Sequence, residues 1–195
     1  MTVSESRTAE LGTPQLSAVP LAEVDLDDVL GLFTEPTFYY RTYRPELLSE
    51  DEILALLPER TLVCRAGSRP VGLLDAEDLG AGYPGHYQLY LRFAAPVELA
   101  VAAATASGLL DGLRERHPVG RITHEVYEFD EPGRQLALRL GFRDEGVLAG
   151  LVERDRRRWG VRYLAWYHDP GGWPLGGLPA PASSSPARGQ ADGHE

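Results

Sequence analysis

The chain has 195 residues, 43% of them hydrophobic and 25% charged, with a net charge of −10. That size and balance describe one globular domain with a core of its own, and exclude a fibrous, disulfide-stapled or wholly disordered chain. The acidic balance speaks against general binding to nucleic acid or an anionic membrane, both of which need a basic surface, but leaves room for a local basic site.

Residue usage narrows the chemistry further. All 19 basic residues are Arg, so Schiff-base and lysine-nucleophile mechanisms are excluded. A single cysteine, Cys64, removes intramolecular disulfides and cysteine-based metal clusters, and its apolar neighbours mark it as a buried thiol. No apolar run approaches the roughly 18 residues needed to span a bilayer. The polar N-terminus lacks a signal-peptide core, and a cytoplasmic protein is expected.

Residues 1–14 are polar and aperiodic and read as a flexible leader to a domain over 15–169. A short strand over 16–21 is followed by a short helix over 25–33, with Val29, Leu30 and Phe33 on one side. The segment EPTFYYRTYRP has no clear period; its Tyr39, Tyr40 and Tyr43 suit either packing or the wall of a substrate pocket. Ser49 precedes Glu52 by three residues, a capping box, and opens a helix over 49–57 that Pro58 ends. Strands over 61–65 and 71–75 flank a tight reversal at Gly67 and Ser68.

Over 87–93 Tyr87, Leu89 and Leu91 alternate with Gln88, Tyr90 and Arg92, the pattern of a central strand. An Ala-rich helix over 96–117 carries a stripe of Leu99, Ala103, Ala106, Leu110 and Leu113, and a strand over 122–127 follows. The next helix is punctuated at both ends: Asp130 or Glu131 caps it, Pro132 fits its first turn and Gly141 stops it. Two long strands over 143–153 and 161–167 are joined by the arginine-rich turn RDRRRWG. From 170 to 195 the composition is Gly, Pro, Ala and Ser, which reads as a disordered tail.

Gly141-Phe142 at the end of a short helix, with Glu145-Gly146 in the strand after it, resembles the C-terminal half of the GNAT acyltransferases, and in particular their ribosomal-protein N-acetyltransferase branch. That branch carries an Asn before a helix ending in Tyr-x-x-x-Gly-Phe; here Asp130 takes the Asn place and Ala137 the Tyr place. The resemblance can be drawn from about residue 16 to 167 and is specific over 125–146. It implies an α/β fold with a mixed, mostly antiparallel seven-stranded sheet, splayed at the middle, and about four helices. It also implies transfer of an acyl group from a thioester, acetyl-CoA or another acyl-CoA, to a primary amine of a small molecule or peptide, without a metal, by a monomer or homodimer.

On that resemblance Leu91, Arg92 and Phe93 grip the pantetheine arm of the donor, and Asp130 stands beside it. Aligning Leu109-Leu110 with the family's paired leucines lays its glycine-rich phosphate turn on residues 101–106, where the basic or amide residue is missing and Ala104 replaces Gly. Ala104, Ala106 and Ser107 then form either an altered phosphate site or the interior of a helix with no free amides. In the second case the donor would be an acyl group on a carrier protein, or an aminoacyl-tRNA, met by the arginine-rich turn. A noncatalytic binding module on the same scaffold is the remaining alternative.

Glu125 stands twelve residues before Ala137, the spacing at which the related enzymes carry a general base. Tyr127, two residues on and on the same strand face, or a residue of the Tyr39, Tyr40 and Tyr43 group, is the expected substitute for the missing Tyr donor. Tyr39, Tyr40 and Tyr43 fall where the family places its acceptor-lining loop. His86 and His124 lack metal-ligand spacing, and His124 is expected to face away from Glu125 as a packed or bridging histidine.

Overall fold

The structure, a computed structural model, describes residues 16–168 except 81 and 83; the expected leader and the 170–195 tail lie outside the described residues. In chain order the elements are β1 (Ser17–Pro20), α1 (Leu26–Leu30), α2 (Glu50–Ala55), β2 (Leu62–Ala66), β3 (Arg69–Asp78), β4 (Gly85–Phe93), α3 (Leu99–Arg116), β5 (Val119–Tyr127), α4 (Glu131–Arg139), β6 (Arg143–Arg154) and β7 (Arg157–Tyr167). Three short 3₁₀ turns, Leu21–Glu23, Gly31–Thr34 and Pro45–Leu47, fill out the first third.

The strands form one seven-stranded sheet in the order β1-β2-β3-β4-β5-β7-β6. Only the β4–β5 pair is parallel, and α3 supplies the crossover such a pair requires; every other pair is antiparallel. The mixed, mostly antiparallel sheet with four helices is therefore the architecture the chain adopts.

Local signals account for the element ends. The Ser49 hydroxyl accepts from the Glu52 amide at 3.4 Å while the Glu52 carboxylate accepts from the Ser49 amide at 2.8 Å, which completes the capping box of α2. Asp130 caps α4 by accepting from the Gly133 amide at 3.1 Å. At the other end Gly141 takes φ +85°, its amide bonds Leu138 O at 3.0 Å, and the Phe142 amide reaches Ala137 O at 3.1 Å, a Schellman closure that a side chain at position 141 would strain.

Two boundaries differ from expectation. The arginine-rich reversal is only two residues long: Asp155 and Arg156 take φ of +53° and +60°, and Arg157 and Arg158 are already in the β6–β7 ladder. The long helix begins at Leu99 rather than at Pro96, because Pro96 falls in a turn closed by the Val97 amide on Ala94 O at 3.0 Å.

The sheet carries a core on each face. On one, Leu89, Leu91, Ile122 and Val126 pack against Ala102, Ala106 and Leu110 of α3 and Leu136 of α4. On the other, Val63 and Leu73 pack against Val29, Phe33, Phe38, Tyr40 and Ile53. Burial of each large apolar side chain stabilises the fold by about 1.5–3 kcal/mol, so both halves of the sheet are anchored apart from the pairing at its centre. Cys64 is fully buried, and burial pushes its thiol up to about 12, so it remains protonated.

Candidate active site

The parallel ladder between β4 and β5 runs from Gly85 opposite Val119 to Leu89 opposite His124 and goes no further. Beyond that rung β4 continues to Phe93 against β3, and β5 continues to Tyr127 against β7. The two central strands thus part because each keeps its outer partner. At the fork point His124 Nδ1 lies 3.0 Å from Leu89 O. A carbonyl only accepts, so the imidazole proton is on Nδ1 and the side chain closes the ladder. Burial lowers the His124 pKa, with the Leu89 carbonyl acting the other way, and the ring stands edge-on to Phe142 at 6.2 Å. This is the bridging histidine the sequence suggested.

Backbone alternation decides which groups of β4 face the opening. Leu89 O points toward β5, while the Ala94 amide bonds Val71 O of β3 at 2.8 Å. Alternate residues present N–H and C=O to the same side, so Leu91 and Phe93 direct theirs into the fork and Arg92 directs its own to β3.

A cleft of about 290 Å³ opens beside the fork, and its lining includes Tyr39, Arg41, Tyr90, His124, Glu125 and Tyr127. Glu125 is exposed at its rim, yet partial desolvation raises its carboxyl above the ordinary value. Tyr163, directly across the β5–β7 ladder, pulls the other way. The Tyr127 phenol is pushed up to about 12, first by burial and then by Glu125. Its ring stacks on Phe129 at 5.3 Å and meets Tyr39 at 6.2 Å and Tyr43 at 5.8 Å.

The hairpin tip braces this wall. Arg154 donates to the Tyr39 hydroxyl at 2.5 Å and lies 5.0 Å over the Tyr39 ring, which turns one charge of the arginine-rich segment inward.

Several residues singled out in the sequence meet here: Tyr39, Leu91, Glu125, Tyr127 and Asp130 all line the cleft. Others do not. Tyr40 is only 1% exposed and packs edge-on to Phe33 in the core beneath α1, so it is not part of the acceptor wall. Tyr43 backs Tyr127. The Phe93 side chain is buried in the core under α3, which leaves only its main chain to the fork. His86 is tied to Thr123 Oγ1 at 3.0 Å.

Arg92 and Asp130 are spent largely on each other. Arg92 Nη1 bonds both Asp130 oxygens at 2.5 and 2.6 Å and Nη2 donates to Thr37 O at 2.7 Å, so a buried ion pair crosses the wide end of the fork. Gly133 makes room for it, since a Cβ there would run into the Asp130 carboxylate.

Of the two readings of residues 101–106, the helix interior is the one the chain adopts. Ala104, Ala106 and Ser107 lie beyond the first turn of α3, where main-chain amides belong to the helix ladder. Amides left over by the helix are those of Leu99, Ala100 and Val101. The turn before them is acidic: Glu98 is the N-cap residue, and Glu35 Oε2 accepts from the Ala95 amide at 3.3 Å.

Arg41, Tyr90 and Tyr163 were not singled out by sequence reasoning. Tyr90 was legible in the strand alternation that puts it on the face of Arg92. Arg41 carried no signal beyond its place among tyrosines, and its φ of +56° is visible only in three dimensions. Among the described residues no group of three His, Cys, Asp or Glu side chains is placed to hold a metal ion, and no helix is long and apolar enough to cross a membrane.

The sheet order, the central fork and the two helix layers are those of the GNAT N-acetyltransferase fold, and solved structures share it along most of the chain. One is a ribosomal-protein-alanine N-acetyltransferase from Brucella melitensis, 15% identical, covering 78% of this chain and 99% of that one with a TM-score of 0.61. Another is a chimeric spermidine N-acetyltransferase from Vibrio cholerae and hSSAT, 19% identical, covering 78% and 95% with a TM-score of 0.64. A Salmonella typhimurium protein solved with its cofactor acetyl-CoA is 12% identical, covering 78% and 93% with a TM-score of 0.58. No protein-family model and no curated protein matches the sequence.

Proposed function

We propose that the chain is an N-acyltransferase that moves an acyl group from a thioester donor to a primary amine, with Glu125 as general base. The observation that carries this is the fork itself: main-chain groups of Leu91 and Phe93 face an opening with an exposed but partly desolvated carboxylate, Glu125, at its rim. An extended pantetheine arm can add to β4 there as a further strand would, through its amides. The free amine attacks the thioester carbon, the C–N bond forms and the C–S bond breaks. The nitrogen's surplus proton passes to Glu125, directly or through water.

Tyr127 has a narrower part than a full proton donor. With its phenol at about 12 and an ordinary thiol at about 8.5, transfer to the departing thiolate is uphill by roughly 3–4 pKa units. The phenol therefore serves as a hydrogen-bond donor to the sulfur or the oxyanion, and the thiolate takes its proton from solvent. Ala137, in the place of the family's Tyr, is buried in the core and contributes nothing to this step.

Glu35 and Glu98 at the turn before α3 favour a donor gripped by its pantetheine arm over one held by its pyrophosphate, which points to an acyl group on a carrier protein as the second reading. Calorimetry compares the two. Acetyl-pantetheine and acetyl-CoA should bind with affinities within about tenfold of each other, since the pyrophosphate adds little where carboxylates surround the amides. Absence of heat with both thioesters at about millimolar concentration removes the acyl-transfer proposal, and acetyl-CoA binding hundreds of times tighter removes the carrier reading.

A further inference from the structure

Resting on the acyl-transfer reading, we infer that the acceptor is a small zwitterion, a free α-amino acid or close analogue, whose carboxylate is held by Arg41 while its amine is presented to Glu125. Both residues line the same cleft of about 290 Å³, a volume that suits one small molecule and not a folded protein terminus. Tyr90 lines the same cleft. The Arg41 guanidinium is 3.3 Å over its ring, and its phenol is pushed up by burial, with Arg41 opposing and Glu125 adding to the shift.

Arg41 is built into this position. It takes φ +56°, a left-handed conformation that a non-glycine residue keeps only where its surroundings hold it. Those surroundings are Asp75, to which Nη2 is paired, Glu77 at 3.6 Å, and Arg60, which reaches Asp75 at 2.7 Å and Glu77 at 3.2 Å. Two arginines and two carboxylates balance, so the cluster fixes the guanidinium in place with no net charge of its own. Arg41 bonds Asp75 through Nη2, and its buried Nε has no hydrogen-bond partner among the described residues. A ligand carboxylate at the exposed edge of the guanidinium would therefore meet a held, incompletely bonded cation.

Glu125 completes the complement. It has no salt bridge among the described residues, and tyrosine rings flank it. An ammonium or amine is the group such a rim accepts, and a second carboxylate on the acceptor near Glu125 would be repelled. With Arg41 and Glu125 both lining one small cleft, the matching ligand is a molecule that carries both charges.

The test uses matched sets on the full chain: methionine and phenylalanine, their carboxamides, and the amines left when the carboxyl group is removed. Acyl transfer from acetyl-CoA or acetyl-pantetheine should favour the carboxylate-bearing member by about tenfold or more in kcat/KM, because a site built for an ionic partner is left unpaired by the others. Arg41→Gln should collapse that ratio toward one, and Arg41→Lys should restore part of it. Equal use of all three members overturns the inference and leaves acyl transfer standing. If no member of either set is acylated, calorimetric titration of wild type with the same sets decides: amino acid bound in preference to its amide and amine supports the zwitterion site, and equal or absent binding overturns it while leaving acyl transfer to other amines standing. The same titration covers the case in which Arg41 variants fail to fold.

Discussion

Glu125→Gln should lower turnover by at least about tenfold, since a positioned general base commonly contributes roughly 10²–10⁴. Gln keeps the size and the polar tip of the side chain but cannot take a proton, and Glu125 lies exposed at the rim, so fold and donor binding should survive the change. The pH dependence carries the sign of the effect. Desolvation raises the Glu125 carboxyl above its usual value, so the base form is lost as pH falls through that raised value, and the acid limb of kcat/KM should sit above the normal carboxylate range. In Glu125→Gln that limb should disappear. Measured by steady-state kinetics across pH, unchanged turnover or an unchanged acid limb would remove Glu125 from the mechanism.

Asp130→Ala should be the most destabilising single change near the site. The Arg92 side chain is 8% exposed and the Asp130 side chain 7%, and loss of one partner leaves the other charge buried without its counterion, at a cost of about 3–5 kcal/mol. The α4 cap on the Gly133 amide goes with it and adds about 1 kcal/mol. For a domain of this size that corresponds to a fall in Tm of roughly 8–24 °C. Asp130→Asn keeps an oxygen for the cap and should fall between. Replacing both partners, Arg92→Met with Asp130→Asn, should recover part of the loss, since no unpaired charge remains. A Tm within about 2 °C of wild type for Asp130→Ala would mean that the ion pair does not hold the end of the fork together.

Elements with strong local punctuation were legible from residues alone. The capping box at Ser49 and Glu52, the Asp130 and Gly141 limits of α4 and the Gly67-Ser68 hairpin each rest on short-range chemistry that a sequence displays. The fork did not have that visibility: the point at which β4 and β5 separate is set by their outer partners and by His124 capping Leu89, a contact 35 residues apart. Tyr40 was indistinguishable from Tyr39 because the loop that holds them has no period, and only the packing of Phe33 and Phe38 assigns one to the core and the other to the cleft. The alignment that laid a phosphate turn on Ala104 and Ala106 took Leu109-Leu110 as its anchor, whereas the helix starts at Leu99 and the turn before it is Ala94 to Glu98. Arg92 and Asp130 were expected at the donor site as separate residues; that they neutralise each other depends on a distance no spacing encodes.

Release of free thiol from acetyl-CoA or acetyl-pantetheine, followed with and without a primary amine, tests acyl transfer at the fork most directly. Acyl transfer at the fork predicts release that requires the amine, rises to saturation with its concentration, leaves one acylated amine per thiol and drops in Glu125→Gln. Thiol release at the same rate whether or not amine is present, or from neither thioester with any amine, would contradict it.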